Sequence, residues 1–162
     1  MNEHKEVAER ATEALPETLN ALLVPLADRN LLVPNTLLAE LIPQQMLEPC
    51  AGQPDWVLGA TRWRDVRIPV VSFERAAGRA VPSLSRARWG VFSAQWDDLQ
   101  PRYYAVVTQG IPRSVRVDMS LAPAAEAAEN LEQIRVQFED ELPSCIPDLI
   151  TLEQRLVEAG WR

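Results

Sequence analysis

Residues 56–73 read WVLGATRWRDVRIPVVSF, and this stretch decides the fold. Val57 to Trp63 and Val66 to Phe73 are dense in β-branched and aromatic side chains, with only Arg64 and Asp65 between them. Two such runs with a two-residue gap spell a β-hairpin. Side chains alternate along a strand, so Val66, Ile68 and Val70 share one face and Pro69, Val71 and Phe73 the other. A two-residue hairpin turn demands positive φ, which Asp accepts at small cost. Asp65 is therefore the expected turn residue, and Arg64 is expected to project at the tip. Pro69 has no N–H for a ladder, so its strand is expected to be an edge or to bulge there.

Working outward towards the N-terminus, residues 48–55 form a loop punctuated by Pro49, Gly52 and Pro54. Residues 19–27 and 31–34 read as strands around a turn at Asp28, Arg29 and Asn30. Residues 36–40 suit one helical turn with Asn35 as its N-cap, and 41–47 an extended segment. Residues 3–15 suit a short helix, with Val7, Ala11, Ala14 and Leu15 on one side, stopped by Pro16. The expected organisation is thus an N-terminal extension, 1–18, and one domain, 19–162.

Towards the C-terminus, 74–86 is a polar connection with the composition of a mobile loop. Strands are expected at 88–95, 103–108, 114–121 and 133–138. In the last of these Ile134, Val136 and Phe138 alternate with Arg135 and Gln137. Residues 123–131, rich in Ala and Glu, suit one or two helical turns. Pro143 and Pro147 make 142–149 an edge or irregular strand. Residues 150–159 read as a helix with Thr151 as N-cap and Gly160 just past its end. About ten short strands and few helices describe a mainly β barrel or sandwich.

Composition narrows the function. The 162 residues are 47% hydrophobic, enough for a core, and carry a net charge of −7. That balance argues against a nucleic-acid partner and against docking on an anionic membrane. Cys50 and Cys145 match no metal spacing and read as reduced thiols. The N-terminus lacks the apolar stretch of a signal peptide, and no run is long enough to span a bilayer. A cytoplasmic protein is the expectation.

Chemistry is scarce. The single histidine, His4, lies in the extension, which removes Ser-His, Cys-His and His-metal constellations together. No glycine opens a phosphate loop. Asp97-Asp98 and Glu139 to Glu141 sit in expected turns and read as solvated. No catalytic residue, cofactor or metal ligand is expected, although an enzyme with an unconventional site stays open. Aromatics near Arg64 remain. Trp56 is expected in the core. Trp63 and Trp89 suit either a core or a binding hot spot, where Trp and Arg are enriched.

Gly59, Arg64 and Pro69, followed by Val70-Val71 and Ser72-Phe73, resemble the signature of the CheW family of chemotaxis coupling proteins. The segment LLVPLADRNLLVPNTLLAELIP resembles the family's upstream strands, and from Leu22 to Phe73 the likeness needs no gap. Asp65 stands where the family usually has glycine. The resemblance implies a mainly β fold of two packed five-stranded β-barrels (SH3-like subdomains), with a C-terminal helix. It implies a non-catalytic adaptor that joins the cytoplasmic tips of methyl-accepting chemoreceptors to the regulatory domain of a CheA-type histidine kinase. The family's contact positions fall on Leu38, Glu40, Gly59 and Arg64, and a groove-lining position falls on Trp89. With Trp63 and Asp65 at the hairpin tip these form the expected partner-binding set. WVLGATRWRDVRIPVVSFE and CIPDLITLEQRL look most like the ChpC-type adaptors of pilus-linked systems that govern twitching motility. A CheW-fold module that binds a different signalling regulator is the alternative. The isolated protein is expected to be a monomer, without nucleic acid and without membrane insertion.

Overall fold

The structure is a computed structural model that describes residues 18–118, 128–136 and 142–162. The helix expected at 3–15 and most of the helical turns expected at 123–131 lie outside the described residues. Ten strands are present among those described: β1 (Thr18–Pro25), β2 (Asn30–Pro34), β3 (Leu38–Pro43), β4 (Val57–Trp63), β5 (Val66–Val71), β6 (Arg88–Ser93), β7 (Tyr103–Thr108), β8 (Arg113–Asp118), β9 (Glu132–Val136) and β10 (Ser144–Pro147). Two helices accompany them, α1 (Phe73–Ala76) and α2 (Leu149–Glu158).

The strands form two five-stranded sheets, ordered β8-β1-β2-β10-β9 and β3-β6-β7-β5-β4. The second sheet is therefore inserted whole between β2 and β8 of the first. The mainly β class and the two five-stranded units are as expected. The strand ladders, however, are open and do not close into barrels.

The second sheet is buried on both faces, which explains its apolar runs. Ile68, Val70, Trp89, Val91, Ala105 and Val107 fill one core on its inner side. Val71, Phe73, Phe92, Tyr104 and Val106 face a larger core shared with Val24, Leu31 and Val33 of the first sheet and with Leu149, Leu152 and Leu156 of α2. The alternation read in β5 thus feeds two different cores. A third, smaller core holds Ala21, Leu23, Leu32 and Val136.

Several expectations are corrected. β5 and β10 are interior strands, not edges. Pro69 is tolerated because it pairs with Ala60 of β4, while the parallel ladder to β7 starts one residue later, at Val70. β10 is irregular at Ile146/Pro147, as its prolines require. Residues 38–40 are strand, not a helical turn. The 74–86 connection begins with a buried helical turn capped by Ser72, whose hydroxyl accepts from the Arg75 N–H. The N-cap of α2 is Asp148, and Thr151 donates to it from both N–H and Oγ1. Gly160, at φ 109°, ends that helix as expected.

In β9, Arg135 is buried and Ile134 is 40% exposed. Charge overrides hydrophobic alternation here. Arg135 reaches Glu132 at 3.1 Å and Glu129 at 3.0 Å. Arg29 pairs with Glu132 and with Glu129. Arg79, just beyond α1, reaches Asp28 at 2.7 Å. This network ties the β1–β2 turn and β9 of one sheet to the end of α1 beside the other. Burial pushes the Asp28 carboxyl up, but the hydrogen bonds and charges of Arg29 and Arg79 together outweigh that and hold it below its ordinary value. Burial pushes the Cys145 thiol up to about 12, with the Glu132 charge adding, so it is inert as a nucleophile.

Glu74 of α1 is 2% exposed, and its carboxylate oxygens are buried without a well-formed hydrogen bond among the described residues. Burial raises its carboxyl above the ordinary value, and the nearby Asp28 charge raises it further. The folded state therefore holds this proton more tightly than the unfolded state. Stability from this group is present at low pH and is lost as pH rises through the raised value. Glu74→Gln is expected to raise the melting temperature at pH 7, with the gain shrinking to nothing as pH falls into the ordinary carboxylate range. Melting curves of both proteins between pH 4 and 7 check this. A destabilised Glu74→Gln at pH 7 contradicts it.

Candidate functional site

The exposed end of the second sheet is built by the β4–β5 hairpin. Arg64 and Asp65 have φ values of 50° and 63°, so both central residues of the turn are left-handed, the geometry that matches strand twist. Trp63 pairs with Val66 across the turn. Arg64 leaves the sheet with 70% of its side chain exposed.

β3 and β4 are the two outer strands of this sheet, yet they meet. The Trp63 indole Nε1–H donates to Glu40 Oε2 at 2.6 Å. Arg64 Nη2 lies 3.8 Å from the same oxygen, and the Arg64 guanidinium sits 4.5 Å from the centre of the Trp63 ring. That geometry suits a cation–π contact. The Tyr103 ring, 4.7 Å from that of Trp63, supports it from below. Further along, Thr61 Oγ1 donates to Gln45 at 3.1 Å. Glu48 and Ala60 exchange two backbone hydrogen bonds, of 2.8 and 2.9 Å. The sheet is therefore curled, and the chain after β3 nearly closes it.

Gly59 makes that closure possible. A Cβ at Gly59 would lie 2.7 Å from the Glu48 carbonyl oxygen and 3.2 Å from Leu47 Cβ. Glu48 then lies between Arg62 and Arg67, which face each other across β4 and β5. Like charges directly opposite repel, and the Glu48 carboxylate offsets this.

The expected binding residues divide. Glu40, Trp63, Arg64 and Asp65 come together at the hairpin tip. Leu38 is half-buried on the same outer strand, and Gly59 is buried beneath the Glu48 bridge. Trp89 is 1% exposed inside the inner core. Trp56 is half-buried against the shared core.

Sequence reasoning missed an apolar groove on the first sheet. A cavity of about 600 Å³ is lined by residues including Leu19, Ala21, Leu32, Val117 and Ile146. A second, of about 310 Å³, shares Leu32, Val33, Pro34 and Ile146 with it and extends to Leu149 and Ile150 at the start of α2. Leu19 is 62% and Ile150 40% exposed. Alternation in β1 placed Leu19 and Ala21 on a strand but gave no signal of a groove on this face among the described residues.

These features define a mainly β fold of two interleaved five-stranded sheets with a charged and aromatic hairpin tip. The sequence model of the family described as CheW-like domain matches residues 20–152. The chain belongs to the CheW-like domain family. Among solved structures, the scaffolding protein TtCheW from Thermoanaerobacter tengcongensis superposes with a TM-score of 0.69 over 86% of this chain and 90% of that one, at 14% identity. At that identity the likeness speaks for the fold. A search of curated proteins by sequence finds no match. Among the described residues no helix is long and apolar enough to cross a membrane.

Proposed function

We propose that this protein is a non-catalytic chemosensory adaptor that couples methyl-accepting chemoreceptors to a CheA-type histidine kinase. Family membership supports a chemotaxis coupling role. The observation that supports the finer reading is the meeting of Glu40, Trp63 and Arg64 at the hairpin tip, where Glu40 and Arg64 fall on positions that the family resemblance implies for partner contacts. The apolar groove of the first sheet offers a second contact face, suited to an amphipathic helical partner. The binding domain is residues 19–162, with 1–18 as an extension, and the protein works in the cytoplasm at receptor arrays. Control of pilus-driven twitching is the narrowest form of this reading.

Arg64 is the point of test. Its guanidinium can grip a partner carboxylate with two parallel hydrogen bonds, which lysine cannot copy. It holds little inside the fold, since its ion pair with Glu40 is long and exposed. Arg64→Ala is therefore expected to change stability by no more than about 0.5 kcal/mol. It is expected to weaken binding to the kinase regulatory domain or to the receptor tip more than about tenfold, roughly 1.4 kcal/mol. Arg64→Lys should recover part of that. A variant that binds both as the wild type does would move the binding surface away from the hairpin. A wild type that binds neither would favour an adaptor for a different regulator.

A further inference from the structure

We infer that Trp63 is a positioning residue: its indole N–H fixes the Glu40 carboxylate, its ring carries the Arg64 guanidinium, and the acid–base pair is thereby preset for a partner. The inference deepens the proposed function and rests on it for the identity of the partner.

Four observations converge on this. The pairing of β3 with β6 shifts register between Leu38 and Glu40, and such an irregularity re-aims the side chain beside it. Glu40 is thereby turned from its own strand partner towards the opposite edge of the sheet. The Trp63 ring is 6% exposed and packed on Tyr103, so its N–H direction is fixed by the core. That N–H meets Glu40 Oε2 at 2.6 Å, a short bond of the charge-assisted kind. Arg64 then lies over the indole face with its cation turned towards the same oxygen. Two long, exposed charged side chains are held by one rigid buried one. Immobilising such side chains before binding removes ordering cost from the binding step.

Trp63→Phe tests this, because it keeps an aromatic ring for Tyr103 and Arg64 while it removes the N–H together with part of the indole, and the Arg64→Ala background separates the lost N–H from the lost packing. Binding to the kinase regulatory domain is expected to weaken about fivefold, the size of one lost hydrogen bond. The loss should fall below about twofold when Arg64 is already alanine, because the pair no longer exists. A loss of the same factor in both backgrounds, or no loss in either, overturns the inference, since a packing role would act independently of Arg64. Glu40→Gln leaves the buried residues in place and gives a second measurement in the free protein. In a ¹⁵N–¹H spectrum the Trp63 indole resonance, assigned by its disappearance in Trp63→Phe, is expected to move upfield as the charged acceptor is lost. An unmoved resonance overturns the clasp. If the kinase domain fails to bind even the wild type, the proposed function fails, and this spectrum still decides the clasp alone.

Discussion

Glu153→Ala is expected to lower the unfolding free energy by about 3–5 kcal/mol, the summed cost of leaving the donors around a buried carboxylate unpaired. Glu153 lies on α2 and is 0% exposed. One of its oxygens accepts the backbone N–H groups of Gln95 and Trp96, at 2.6 and 2.8 Å. The other accepts the Tyr104 hydroxyl at 2.9 Å. One side chain thus fastens the C-terminal helix both to β7 and to the segment after β6. Burial, with the Glu153 charge beside it, holds the Tyr104 phenol well above its ordinary value, so it stays protonated and donates. Alanine would leave the buried Tyr104 hydroxyl and two part-buried backbone N–H groups unpaired, with a void beside Tyr104. Tyr104→Phe removes one donor only and is expected to cost about 1 kcal/mol. Denaturant titration of both variants checks the ranking. A Glu153→Ala loss below about 1 kcal/mol contradicts it.

The second large effect is expected at Gly59. Its φ of 153° is unfavourable for any residue with a Cβ, and the atom that a methyl would strike is a backbone carbonyl. That carbonyl accepts the Ala60 N–H at 2.9 Å within a two-bond bridge, so it cannot step aside without breaking the bridge. Overpacking typically costs about 1–3 kcal/mol and forced glycine geometry about another 1. Gly59→Ala is therefore expected to destabilise by about 2–4 kcal/mol, a melting-temperature drop of roughly 4–16 °C for a domain of this size. A melting temperature within about 2 °C of wild type would show that the Glu48 segment yields freely. Gly59 thus shapes the hairpin end of the sheet from below, by letting the chain after β3 close onto β4.

Much of the fold was legible because local signals agreed. The hairpin announced itself in two apolar runs around Arg64-Asp65, and both turn residues adopt the left-handed geometry that such a gap demands. Helix α2 was legible from its apolar stripe and Gly160. The rest depended on long-range partners. Arg135 reads as an outward residue until Glu129 and Glu132 draw it in. Glu153 reads as a solvated helix residue, and nothing local says that Gln95, Trp96 and Tyr104 converge on it. Pro69 and Pro147 suggested edges or irregular strands: the ladder to β7 begins just after Pro69, the ladder to β2 stops at Cys145, and β10 shifts register at Ile146/Pro147. At the candidate site, Arg64 was legible as a hairpin tip and Trp63 only as a nearby aromatic. That Glu40 meets them across the open side of the sheet follows from curvature, which pairwise sequence patterns do not encode. Trp89 fell on a groove position by resemblance while its residue type suited either a core or a hot spot, and the structure buries it with Ile68 and Val91.

Binding of the purified protein to the regulatory domain of its CheA-type kinase, measured by titration calorimetry with wild type and Arg64→Ala side by side, tests the central claim most directly. Wild type is expected to give a saturable one-to-one isotherm, and Arg64→Ala, with its melting temperature unchanged, one at least about tenfold weaker. Equal affinities for the two proteins, or no binding by a folded wild type, would contradict the account.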